Sequence, residues 1–316
     1  MPELPEVETV RAWLDGALPG TTIEEVALRR GDLRYPLPVD ALRGLVGRRL
    51  GATQRRGKYL ILHLEPPPAA SPVAALLVHL GMSGRIFLTK PEAEPQPAVE
   101  PAFEAHEHWR FRLLRVPVAE GLGAAAATPA SASLAASPVA PPPSNTYLRY
   151  QDARRFGALD VLGPDLDHPL LRDLGPEPLG PQFDAATLLH AARRRRTAIK
   201  ALLMDAAVVV GVGNIYASEA CHRAAVDPRR DAASLGEAEA LALVVAVRAV
   251  LCDAIAAGGT TLRDFVGGDR NPGYFQQQLS VYGRAGAPCL RCGPGSTISQ
   301  RRDLGRATYF CATCQR

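Results

Sequence analysis

Four of the six cysteines in this 316-residue chain fall into two C-x2-C pairs near its end. Cys289 and Cys292 form one pair, Cys311 and Cys314 the other, with eighteen residues between them. Each pair reads as a tight turn that aims both sulfurs at one ion, and the separation is that of a four-thiolate zinc site. Four thiolates leave no coordination position open to substrate, so one structural Zn2+ is expected. Two disulfides or four free thiols are the alternatives, and a reducing cytosol disfavours the first. A cytosolic chain is expected because the start, MPELPE, is acidic and proline-broken with no apolar signal region. No stretch approaches the ~18 apolar residues of a membrane span. Cys221 and Cys252 lie outside the pattern and read as helix cysteines that pack as small hydrophobes.

The length suggests two domains, and 47% hydrophobic residues suffice for buried cores. Leu4, Val7, Val10, Leu14 and Leu18 recur in steps of three and four, which predicts an amphipathic helix stopped by Pro19-Gly20. Strand-like runs follow at 22–29, 48–55, 59–64, 74–80, 85–88, 109–116, 146–150 and 158–162, separated by Gly and Pro. That rhythm predicts an antiparallel sandwich or barrel. Beyond about residue 184 the texture turns helical. The clearest helix is expected over Ser234–Ala257, with Ser234 and Glu237 as a capping box and Gly258-Gly259 as its stop. The proline-rich stretch 163–181 marks the boundary. Residues 91–102, rich in Pro and Glu, and 117–145, nearly all Ala, Pro, Ser and Gly, offer too little large apolar surface to order themselves. Both are expected to be disordered insertions without chemistry.

A net charge of +4 is compatible with nucleic acid without requiring it. The position of the charge says more. Arg193–Arg196 lead into Thr197-Ala198-Ile199-Lys200, a dense positive run, although such runs are ordinarily just solvated faces. VVVGVGN (208–214) follows, with two glycines for a tight turn and Asn214 to cap the next helix. An outward-facing helix N-terminus beside basic residues suits a phosphate. Arg301, Arg302 and Arg306, with Tyr309 and Phe310, lie between the cysteine pairs and suit a DNA backbone or groove, or else a solvated turn. At the other end, a small second residue permits removal of Met1, which exposes the secondary amine of Pro2. Such an amine can attack an electrophilic sugar carbon and give an iminium. Glu3 and Glu6 can serve as general acid or base there, although Pro and Glu are also ordinary residues at a helix start.

MPELPEVETV closely resembles the N-terminus of bacterial formamidopyrimidine-DNA glycosylases. The resemblance recurs in register in QRRGKYL (54–60), HLGMSG (79–84), DARRFG (152–157), LGPEPL (174–179), RTAIK (196–200), LMDAAVVVGVGNIYASE (203–219), GGTTLRDF (258–265), NPGYF (271–275), VYGR (281–284) and RATYFCATC (306–314). It covers nearly all of the chain outside the two insertions.

The resemblance implies an α+β protein: an N-terminal β-sandwich opened by a helix (1–163), a linker (164–183), a helix–two-turns–helix domain (184–280) and a C-terminal zinc finger of four cysteines (281–316). DNA would lie between the halves. The implied activity is excision of 8-oxoguanine and formamidopyrimidines, then β,δ-elimination of the abasic strand. By the same resemblance, Pro2 is the Schiff-base nucleophile, Glu3 its acid/base partner and Lys58 the general acid for elimination. Arg306 holds the position of the δ-elimination acid, although an arginine barely deprotonates and is better suited to holding phosphate. DNA contacts are implied at His106, Arg154, Arg195 and Asn214, with Met82 and Phe156 filling the gap left by the lesion. The implied partner is double-stranded DNA bearing oxidised purines, bound by a cytoplasmic, nucleoid-associated monomer with no membrane contact.

Three departures stand out: Arg195 where lysine is usual, a slightly long loop between the cysteine pairs, and the two insertions. The rivals are an endonuclease VIII-type glycosylase for oxidised pyrimidines, a zinc-finger DNA-binding protein without catalysis, and a metal-dependent nuclease. ELPEVET, Met82 and RRFG favour the purine branch. The presence of Pro2, Glu3 and Lys58 speaks against the second rival. The third wants a cluster of metal-binding acids beyond Glu3, Glu6 and Glu8.

Overall fold

The computed structural model describes residues 2–65, 72–89, 102–115, 146–260, 274–303 and 305–316. The stretches expected to be insertions lie outside the described residues, apart from Ala102. The opening helix forms as its spacing predicts, α1 over Leu4–Ala17, with Leu4, Val7, Val10 and Leu14 buried. Pro5 in its first turn loses no intrahelical hydrogen bond there. Gly20, at φ +79°, turns the chain, and its N–H donates to Leu50 O at 2.8 Å.

Eight strands then build two antiparallel sheets: β1 Thr21–Leu28, β2 Leu50–Arg56, β3 Tyr59–Leu64, β4 Ala75–His79, β5 Arg85–Thr89, β6 Glu107–Arg115, β7 Thr146–Gln151 and β8 Ala158–Leu162. The strand orders are β1-β6-β7-β5 and β2-β3-β4-β8. A period of two sends Trp109, Phe111 and Leu113 of β6, and Leu60, Leu62 and Leu64 of β3, into one shared core with Val7, Val10 and Leu14 of α1. The reverse face of the second sheet is also covered: Ile61, Ala75, Leu77 and Leu162 pack under Leu166, Leu170 and Leu171. The last two belong to α3 (Pro169–Arg172), a short helix the sequence reading did not anticipate; α2 (Val39–Arg43) is another.

The second half is helical: α4 Ala185–Arg193, α5 Ile199–Leu203, α6 Asn214–Arg223 and α7 Glu237–Ala256. Its core joins Phe183, Leu202, Leu203, Tyr216, Leu243, Val247 and Leu251. Leu4, from the first turn of α1, is buried in this helical core, so one short helix feeds both. The expected capping box at Ser234 and Glu237 is not what forms. Ser234 ends a separate 3-10 turn (232–234), Gly236 caps α7, and the Glu239 carboxylate accepts from Gly236 N at 3.0 Å. Cys221 is buried in α6 as expected, whereas Cys252 is exposed on α7. At the C-terminus β10 (Gly293–Asp303) and β11 (Arg306–Cys311) form a hairpin, with β9 (Pro288–Cys289) against β10.

Leu14 is fully buried between α1 and the sheets. Leu14→Ala is expected to cost about 2–5 kcal/mol of stability in chemical denaturation, leaving the folded fraction unchanged in activity.

Candidate active site

The start of α1 is pressed against the start of α6. Leu4 N donates to Gly211 O at 3.0 Å, and Pro2 is buried beside it. The Glu3 carboxylate, 4% exposed, accepts from Ile215 N at 3.1 Å and Tyr216 N at 3.4 Å. These are orphan N–H groups of the first turn of α6, where the helix dipole favours an anion. The approach is possible because residue 213 is glycine: a Cβ there would lie 2.2 Å from the Glu3 carboxyl carbon. Asn214 was expected to cap α6, but Gly213 is the cap. The Asn214 amide instead donates to Ala307 O at 3.1 Å and contacts the Tyr282 hydroxyl at 3.4 Å.

Glu6 backs this arrangement. It is 2% exposed and accepts from Glu3 N at 2.7 Å, Thr260 N at 2.8 Å and the Tyr216 hydroxyl. Burial, helped by the Glu3 charge, raises its carboxyl above the usual range. Lys58 reaches in from the turn between β2 and β3, its ammonium 3.4 Å from Val212 O. Burial lowers the Lys58 pKa; Glu3 and Glu6 oppose that shift, and Arg306 adds to it. Glu3, Glu6, Lys58 and Arg306 therefore share one electrostatic neighbourhood.

Two clamps fix the reach of these groups. The Glu177 carboxylate accepts from Gly57 N at 2.6 Å, Arg55 Nη1 at 2.7 Å and Arg56 Nη1 at 3.2 Å, which pins the Lys58 turn to the 174–177 segment. Lys200 belongs to the basic run, yet it is 5% exposed and is no part of a surface field. It donates to Ala307 O and Thr308 Oγ1, both at 2.8 Å, which docks β11 on α5 and carries the exposed Arg306 with it. Burial pushes the Lys200 pKa down to about 8. Arg196, Arg229, Arg301, Arg302 and Arg306 line a cavity of about 720 Å³ at this junction.

A second group of expected residues gathers on three loops of the sandwich. Met82 is half-buried in the turn after β4, while His106, Arg154 and Phe156 are exposed. The Arg154 guanidinium lies 5.1 Å from the Phe156 ring centroid, and Phe156 is 43% exposed, too far out for a core residue. His79, whose pKa burial lowers to about 4, stands within electrostatic reach of both Lys58 and Asp152, linking the two groups. Arg195 joins neither. Its Nε donates to Asp205 Oδ2 at 3.0 Å in the turn after α4.

The four C-terminal cysteines converge, with all four Sγ atoms within 4.8 Å of one another. Cys289–Cys314 and Cys292–Cys311 sulfurs are 3.9 and 3.8 Å apart. A tetrahedron of thiolates at about 2.3 Å from one ion has edges of ~3.8 Å, so the set fits a single metal ion.

Residues 1–159 match the family model for the formamidopyrimidine-DNA glycosylase N-terminal domain, and residues 174–266 match that for its H2TH domain. The chain belongs to the formamidopyrimidine-DNA glycosylase family. It is 44% identical to the Stutzerimonas stutzeri formamidopyrimidine-DNA glycosylase over 100% of both chains. The MutM (Fpg) protein of Thermus thermophilus superposes with a TM-score of 0.75 at 36% identity, covering 99% of this chain and 98% of that one. A Lactococcus lactis Fpg variant in complex with Fapy-dG-containing DNA gives 0.79 at 28% identity, covering 100% of both. The fold is the family's α+β one: a sandwich opened by a helix, a helix–two-turns–helix domain and a four-cysteine finger. The chain is thus a DNA glycosylase, and the endonuclease VIII-type and non-catalytic alternatives fall away. None of its described helices is long and apolar enough to cross a membrane.

Sequence reading gave no role to Glu177, Tyr216, Thr260 or Asp152. The partners of the first three are distant in the chain, and Asp152 joins near neighbours to the distant Ser83, so no local pattern marks them. Gly213→Ala is expected to push Glu3 off α6 and to lower lesion excision about 100-fold, since misplacement near 1 Å costs that much. Steady-state cleavage of lesion DNA beside a thermal melt measures both effects.

Proposed function

We propose that this glycosylase of base excision repair attacks C1′ of an oxidised purine nucleotide in duplex DNA with the Pro2 amine. The observation that carries this reading is the Glu3 carboxylate, held on the N-terminus of α6 next to Pro2 and within the field of Lys58. Attack at C1′ breaks the glycosidic bond and releases the base; the Pro2 nitrogen, its proton lost, then opens the C1′–O4′ bond while Glu3 gives O4′ a proton, which leaves an iminium. The resulting iminium makes the C2′ proton acidic. Loss of that proton expels the 3′ phosphate, and a second elimination expels the 5′ phosphate. Lys58, as an ammonium, is the acid for the first elimination. Arg306 stays charged and orients phosphate near the second. His106, Arg154, Arg195 and Asn214 contact DNA, while Met82 and Phe156 occupy the space the base vacates. The 720 Å³ basic cavity supports a bound backbone next to Arg306.

The four thiolates suit one Zn2+, whose only chemistry here is to staple the hairpin that carries Arg306. The functional unit is a monomer, working in the cytoplasm at the nucleoid where its substrate lies.

Borohydride trapping on a duplex with one 8-oxoguanine tests the nucleophile. A cross-link mapped by mass to Pro2 is expected, and Pro2→Gly is expected to bind DNA yet lose most excision. A normal rate in that variant, or an adduct elsewhere, overturns the assignment.

Burial disfavours the charged form of Lys58, so its proton leaves below the ordinary lysine pKa of 10.5 as pH rises. The elimination rate on abasic DNA is therefore expected to fall on an alkaline limb below pH 10.5. In Lys58→Arg that limb moves up or vanishes, because a guanidinium stays protonated. An unchanged limb removes Lys58 from the step. Chelation is expected to unfold the finger and weaken DNA binding, read by circular dichroism and a binding titration; a metal-free, fully active protein refutes the zinc reading.

A further inference from the structure

None of the steps above uses the most fully bonded carboxylate of the sandwich. Asp152 follows β7 and is 1% exposed. Its Oδ1 accepts from Ser83 Oγ at 2.6 Å and from Arg154 N at 3.2 Å. Its Oδ2 accepts from Gly157 N at 2.9 Å and from the Tyr150 hydroxyl at 3.2 Å. The main chain of the same residue is also engaged. Its N–H donates to His106 O at 2.9 Å, and its carbonyl pairs with the buried His108 ring at 2.8 Å.

These bonds reach three separate loops. Ser83 is next to Met82, Arg154 and Gly157 bracket Phe156, and His106 heads the third. Several donors converging on one buried carboxylate hold one another in place, because none can leave without stranding a buried polar group. The loops need that support. Residues 153–156 are all exposed, and Arg155 sits at φ 57°, a conformation a side-chain-bearing residue adopts only under constraint. His106 is likewise at φ 62°. The first two loops also touch directly: a Cβ on Gly81 would lie 2.5 Å from Phe156 C and Gly157 N.

We propose that Asp152 is a positioning residue that locks the Met82, His106 and Arg154–Phe156 loops into one preassembled unit for displacing the damaged base. This rests on the reading of Met82 and Phe156 as the side chains that fill the vacated space. Because the loops are tied to one carboxylate, they enter the duplex together, and no ordering of each is needed while the base is out. Asp152 acts on extrusion and not on the chemistry at C1′.

The test compares two substrates. An 8-oxoguanine duplex requires a base to leave the stack, whereas a preformed abasic site does not. Asp152→Asn keeps the volume but presents an amide donor to donors it formerly satisfied. Single-turnover excision of 8-oxoguanine is expected to fall about 10-fold or more, with an equally slowed fluorescence rise from 2-aminopurine beside the lesion. Cleavage of the abasic duplex is expected to stay within roughly 2-fold. Ser83→Ala cuts only the Met82 arm and is expected to show the same split more weakly, with Ser83→Thr restoring it. If Asp152→Asn fails to fold, the Ser83 pair carries the test.

Equal loss on both substrates, or none on either, overturns the proposal. Met82→Ala and Phe156→Ala separate the two ideas. If both leave excision and fluorescence unchanged, the space-filling reading fails and the proposal goes with it. If they impair extrusion while Asp152→Asn and Ser83→Ala do not, only the role of Asp152 is overturned.

Discussion

The contact between the Glu3 carboxylate and the first turn of α6 is the one on which the rest of the site depends. An anion this deeply buried is tolerated because two backbone N–H groups and the helix dipole take the place of water. Gly213 makes room, and Glu6 holds the Glu3 amide from behind. The chain's second residue is thereby fixed against a helix that begins more than two hundred residues later. Lys58 and Arg306 then converge on that point from two further directions.

Each of those directions has its own anchor. The β2–β3 turn is short and would leave Lys58 free to swing, but Glu177 collects three donors from it. The finger would be free to pivot on its stem, but buried Lys200 and Asn214 share the carbonyl of Ala307. Side chains that move protons or hold phosphate are long and flexible. Here the precision comes from the polar side chains behind them, Glu177, Lys200 and Asn214, whose hydrogen bonds hold the turn and the finger in place.

Much of this was readable in order along the chain. The helical spacing of Leu4 to Leu14, the strand-like run at 109–116 and the cysteine spacing are local patterns, and the helix, the β6 strand and the four-sulfur cluster form where they lie. The motif strings pointed to Pro2, Glu3 and Lys58, which the structure gathers at the start of α6. What sequence could not give is any feature whose partners lie far apart. The expected cap at Asn214 failed because that amide is drawn to the finger, a contact over 93 positions. Ser234 lost to Gly236 because the Ser234 hydroxyl is taken by Asp231 O and the Arg230 side chain, leaving Glu239 to cap the helix. Lys200 looked like one more surface charge in a basic run, and only the tertiary fold shows it buried.

The double membership of α1 has a consequence for how the molecule comes apart. Leu4 is fully buried in the helical core, while Val7, Val10, Leu14 and Leu18 are buried in the sandwich core. A helix of 14 residues carries both contacts, so displacing α1 disturbs both cores. The two halves are therefore coupled through α1, and an opening that frees the N-terminus withdraws a buried side chain from each core at once.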